Sequence, residues 1–203
     1  MDNNCILILE PGILLIKTVK LAERYLQNFD GDNKEYLQKV VIIIMNCLIK
    51  IKNREVVTQM TEFLIGQYYL YLGQPNLIDV DLRLMSIVAL IHTSVMALEN
   101  SIPKYELVAQ LHKLLNVHLE RFGVEEEGLN LLSVMAISLS RDFQNRDQYW
   151  DKISQGLNQI GEPKIFKTAL CCVGDFSRVY GDEFKERELS VLKKLLKLIH
   201  DNL

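Results

Sequence analysis

The chain has 203 residues, of which 49% are hydrophobic, with only four prolines and ten glycines, so it has ample material for a buried core and little for a disordered tail. Lys and Arg number 23 against 26 Asp and Glu, and the net charge of -3 gives no general attraction to nucleic-acid phosphates or anionic membranes. No secretory signal is expected, because Ile6 to Leu9 lacks a preceding basic region and runs directly into Glu10 and Pro11.

In chain order, apolar segments of about twenty residues alternate with short breaks built on a capping residue, Gly or Pro. Helices are predicted to begin near Pro11, Asn33, Arg54, Asp79, Pro103, Glu125, Arg146, Pro163 and Phe184. The first has a polar stripe through Lys17, Lys20, Arg24 and Gln27, opposite Leu14, Leu21 and Tyr25. Asp32 and Glu35 have capping-box spacing before the second. Asn53 is placed to cap the third, which should stop at Gly73 in a left-handed conformation, with Pro75 just beyond. Tyr68, Tyr69 and Tyr71 lie close enough together that one is expected to face outward.

The fourth segment, Arg83 to Leu98, is apolar around most of its circumference and must be covered on several sides. It contains the longest stretch without Asp, Glu, Lys or Arg, Leu84 to Leu98, which falls short of the roughly 20 residues that cross a bilayer. Gly123, Gly161, Pro163 and Gly181 punctuate the later segments. Two successive helices occupy roughly 38 to 49 residues, the period of stacked helical pairs of the HEAT or armadillo kind. Short connections make neighbours antiparallel. The expected fold is therefore all-α: a right-handed HEAT-repeat superhelical solenoid of about nine helices, one array over residues 1–203 with about four repeats and a terminal helix.

Chemistry-bearing residues are sparse. Cys5, Cys47, Cys171 and Cys172 lack zinc-site spacing and sit in apolar helical contexts, where free thiols behave as small hydrophobes. His92 stands alone in a hydrophobic helix, and His112 and His118 are placed to point in different directions. Neither a Gly-rich phosphate loop nor a nucleophile turn is present. No metal, no cofactor and no catalysis are expected, and a chain of this kind works by binding proteins.

Val80-Asp81-Leu82-Arg83 has the look of an intra-repeat HEAT turn. Pro163-Lys164-Ile165-Phe166-Lys167-Thr168-Ala169-Leu170 leads into Cys172-Val173-Gly174-Asp175-Phe176-Ser177-Arg178-Val179-Tyr180-Gly181-Asp182-Glu183-Phe184. Upstream, in the same order, come Lys17-Thr18, Glu23-Arg24, Leu26-Gln27, Leu37-Gln38 and Asn46-Cys47-Leu48. Together these resemble central repeats of the importin beta family of karyopherins, so that Met1 would mark a piece of a longer solenoid or a truncated relative.

The resemblance implies a nuclear transport receptor, a monomer shuttling between cytoplasm and nucleus through the pore. Its partners would be an importin-alpha-type adaptor or basic cargo signal, the Ran GTPase and Phe-Gly nucleoporins. In that family the second helix of each pair lines the concave side, which here carries Asp79, Asp81, Glu125, Glu126, Glu127, Glu162, Asp175 and Glu183 as acids for a basic peptide. Each has a structural alternative: the Glu125 to Glu127 run favours a helix N-terminus whether or not anything binds, and Asp175 can pair with Arg178 or reach the next repeat. Tyr149 and Trp150, the only tryptophan, are candidates for nucleoporin contact and equally for core packing. Gly174, mid-helix, marks an expected close helix approach. The rival reading is a HEAT scaffold subunit of a stable complex, which should expose a large apolar interface.

Overall fold

A computed structural model describes residues 42–46, 53–74, 79–98, 105–140 and 145–201, with the single positions 17, 24, 39, 49 and 143. Every regular element among these residues is helical. Seven helices can be followed end to end: α1 (Arg54–Leu72), α2 (Val80–Ala97), α3 (Tyr105–Phe122), α4 (Glu126–Leu139), α5 (Arg146–Gly156), α6 (Pro163–Tyr180) and α7 (Lys185–Asp201). A short 3-10 turn, Gly181–Glu183, precedes α7. Lys17 and Arg24 are helical and exposed, as their stripe requires, whereas the Asp32–Glu35 box lies outside the described residues. The chain divides into two compact units, Met1–Asn116 and Val117–Leu203.

Local chemistry places the helix ends. The Asn53 side chain accepts from the amides of Glu55 at 3.1 Å and Val56 at 3.3 Å, satisfying orphan donors at the start of α1. Asp79 and Asn145 immediately precede α2 and α5 with φ of 55° and 57°, left-handed positions that short polar side chains tolerate. Gly123 and Gly181 also sit at positive φ. Gly73 does not: its φ of -75° continues the right-handed path, and Gln74 closes a turn onto the Tyr71 carbonyl instead.

In the first unit, α1 and α2 form an antiparallel pair. The Thr61 and Ser94 hydroxyls lie 2.8 Å apart, and further along α1 the Tyr71 ring meets the Arg83 guanidinium, so positions rise on one helix as they fall on the other. The α2 segment passes a length-and-composition test for crossing a membrane, but 56% of it is buried inside the protein, and buried Arg83 lies within it. Burial also drives the His92 imidazole down to about 4, keeping it neutral in this packed helix. Tyr68 and Tyr71 are buried and Tyr69 is half-buried beneath Lys113, so the tyrosine cluster leaves Leu70 as the outward residue.

In the second unit, helices two apart run parallel. Cys172 on α6 donates to the Leu129 carbonyl of α4, Ser133 to the Asp175 carboxylate, and Tyr180 to the Ala136 carbonyl, partners 43, 42 and 44 residues apart. A constant separation along both helices means the two advance side by side in register. The α5–α7 contacts run the same way without the constant separation: Asp147 with Arg187, and Asn158, just beyond α5, with Lys194, 40 and 36 residues apart. Between these layers α5 and α6 are antiparallel, closest where a Cβ on Gly156 would stand 2.9 Å from that of Ala169. That is the close approach expected at Gly174, which is exposed with open space around its Cβ position.

Candidate interaction surface

The acidic residues have been put to different uses. Glu125 is buried and caps α4, accepting from the amides of Glu127 at 2.8 Å and Gly128. Its carboxylate also meets His118 Nε2 at 2.7 Å. Burial opposes its ionisation, but the His118 contact and the capping bonds outweigh that and hold it down to about 2. Half-buried Glu127 moves the other way: burial first, then its hydrogen bond and charge repulsion with Glu125, push it up to about 8. The two carboxyls are thus pushed in opposite directions, Glu125 towards the charged form and Glu127 towards the neutral one. A Cβ on Gly128 would lie 2.7 Å from Glu125 Oε1 and 3.0 Å from Leu119, so glycine is what lets this cap close.

His118 is the participant that sequence spacing leaves without a role. Its partner lies seven residues on, across the Gly123 turn. The usable signal was a helix-end histidine followed, after a left-handed glycine, by an acidic N-terminal run.

Asp175 is half-buried and doubly engaged, by Ser133 across to α4 and by Arg178 at 2.7 Å on its own helix. Both structural alternatives raised by its sequence position are realised together. Glu183 pairs with Arg146 at 2.5 Å, and the same guanidinium covers the Tyr180 ring. Glu126 is half-buried beside the Glu125 cap. Glu162 is exposed at the start of α6 without a side-chain capping bond. Asp79 and Asp81 are exposed in the first unit. The outward line of α6 itself carries Lys164, Lys167, Cys171 and Arg178. Within the second unit, internal pairing thus consumes Glu125, Asp175 and Glu183, and burial beside Glu125 disfavours the charged form of Glu127.

Tyr149 and Trp150 belong to an aromatic cluster. Phe143 stacks on Tyr149 at 5.1 Å, Trp150 lies 5.2 Å from Phe184, and Phe176 sits edge-on to Phe143, Tyr180 and Phe184. Tyr149 is fully buried, and desolvation raises its hydroxyl pKa. Trp150 is 7% exposed, and that remainder lines a cavity of about 270 Å³ between α5 and α7. Ser154, Leu157, Asn158, Arg187, Val191 and Lys194 complete most of its wall.

Among the described residues no three His, Cys, Asp or Glu side chains converge as a metal site would need. Buried Cys172 has its thiol pKa raised by burial and then by Asp175, the reverse of what a nucleophile needs. The class that fold and surface define is an all-α protein with laterally stacked helices in its second unit. No known family model, curated protein or solved structure matches the chain.

Proposed function

We propose that this chain is a non-enzymatic helical-repeat module that binds other proteins, built as a HEAT-like array. The observation that supports this reading is the constant separation of 42 to 44 residues between bonded partners on α4 and α6. It falls within the period of the helix starts in the sequence, and α7 runs beside α5 in the same direction. In the first unit Lys113 over Tyr69 has a like separation. Lateral stacking of equivalent helices is how repeat arrays extend a surface, and an extended surface recognises proteins.

In its specific form the proposal is an importin-beta-like transport segment of cytoplasm and nucleus that takes a basic signal or adaptor segment, with Ran and nucleoporins as further partners. The acids offered for the basic segment are Glu126 and Glu162 of the second unit. Immobilised basic import-signal peptide should retain the protein at 50 mM salt and lose it steeply by 200 mM, and Glu126→Lys with Glu162→Lys should abolish retention. Retention that ignores both salt and charge reversal would reject this form.

The scaffold reading has its own support. Leu189, Leu192 and Leu196 on α7 are 48%, 48% and 66% exposed, an apolar line suited to a permanent partner. A chain recovered from cells in a salt-stable complex that Leu192→Glu disrupts would favour scaffold over receptor.

A further inference from the structure

The cavity between α5 and α7 is a short notch rather than a continuous groove. On one side Arg187 reaches Asp147, and on the other Lys194 reaches Asn158, so a cross-helix bond brackets each end. Between these brackets lie Trp150, Leu157 and Val191 as apolar surface, with Ser154 and Ser190 as hydroxyl donors. The open-mouthed notch, about 270 Å³, is slightly smaller than ordinary small-ligand sites and accepts one compact body. Its end walls are the ends of cationic side chains. Arg187 is engaged by the Asp147 carboxylate and lies over the Phe184 ring, whereas the partner of Lys194, Asn158, is neutral and exposed. An arriving carboxylate replaces Asn158 on Lys194 and gains a charge-assisted hydrogen bond beside an apolar floor.

We propose that this notch binds a small amphiphilic carboxylate, a molecule with one ring or branched alkyl body and one carboxylate. The ring packs against Trp150 and Leu157 while the carboxylate pairs with Lys194 at the Asn158 end. The inference is independent of the basic-segment reading, since it concerns another layer and the opposite charge.

Trp150 is the only tryptophan, so its emission reports this site alone. The probes are phenylbutyrate, its neutral analogue phenylbutanol, and the blocked peptide acetyl-Asp-Phe-Asp-amide. Phenylbutyrate should shift the emission saturably, with phenylbutanol about 10-fold weaker, in line with loss of a charge-assisted contact. Arg187→Gln combined with Lys194→Gln, both at partly or fully exposed positions, should erase the difference between acid and alcohol. Ser154→Phe, which fills the notch, should remove the response, with circular dichroism checking that each variant remains helical. Equal binding of acid and alcohol, no saturable shift, or a carboxylate preference surviving in the double variant would each overturn the proposal. A response confined to the peptide would also overturn it and assign the notch to a protein segment.

Discussion

The two helix layers of the second unit run the same way and differ in chemistry. In the α4–α6 layer, bonds between helices are made by a serine hydroxyl, a thiol and a phenol reaching a carboxylate or backbone carbonyls, at buried or half-buried positions. In the α5–α7 layer they are made by Arg187 and Lys194 at the surface. Buried bonds of the first kind penalise any slip, because an unpaired polar group in the interior costs about 1–3 kcal/mol. Exposed pairs of the second kind are worth roughly 0–1 kcal/mol and can be exchanged. One layer thus fixes register, and the other keeps its side chains available.

The contrast can be broken most severely at the aromatic cluster joining the layers. Phe176→Ala should cost about 3–5 kcal/mol, seen as a lower urea midpoint, since this fully buried ring touches Trp150, Tyr180 and Phe184. Gly156→Ala should cost about 1–3 kcal/mol by overpacking, because the added methyl meets Ala169 Cβ, which cannot swing aside. Gly174→Ala is the control, expected to be neutral or stabilising by up to about 1 kcal/mol at an open helical position.

The Glu125–Glu127 pair sharpens the comparison through pH. Glu127 is raised in the folded state, so its contribution is full below the unfolded value of 4.5 and is lost as pH climbs through about 8. Glu125 is depressed, so its contribution is present above 4.5 and is lost as pH falls towards about 2. Glu127→Gln should therefore flatten the alkaline decline in stability between pH 4.5 and 8 while leaving the acid limb, measured by chemical denaturation at stepped pH.

Next in size, Ser133→Ala should cost about 1–2 kcal/mol by removing a donor from half-buried Asp175. The smallest effect belongs to the outer layer: Arg187→Gln should change stability by less than about 1 kcal/mol, and 1 M salt should erase the difference. A cost at Arg187 equal to that at Ser133 would refute the division of labour.

Helix starts at Arg54, Glu125 and Pro163 were legible because capping chemistry and proline preferences are local, encoded within a few residues. The fate of each acid was not. Asp175 is occupied by a serine 42 residues away, and the Glu127 carboxyl is raised by burial and by the Glu125 carboxylate beside it. Glycine roles also depend on which helix comes near: Gly174 and Gly156 look alike in sequence, yet only Gly156 has Ala169, Leu129 and Val124 pressed against it. Trp150 has most of its ring in the cluster and its remaining edge in the notch, a division that its place in the sequence does not reveal.

The burial of α4 has a kinetic consequence. Of its residues, Gly128, Leu129, Leu131 through Ala136, Ser138 and Leu139 are all buried, whereas α7 leaves Leu189, Leu192 and Leu196 facing water. Amide protons of α4 can trade with deuterium only when its surroundings come apart, so they should be the slowest of the second unit, while α7 exchanges by fraying. That gradient makes α4 the anchor from which this half of the molecule loosens last.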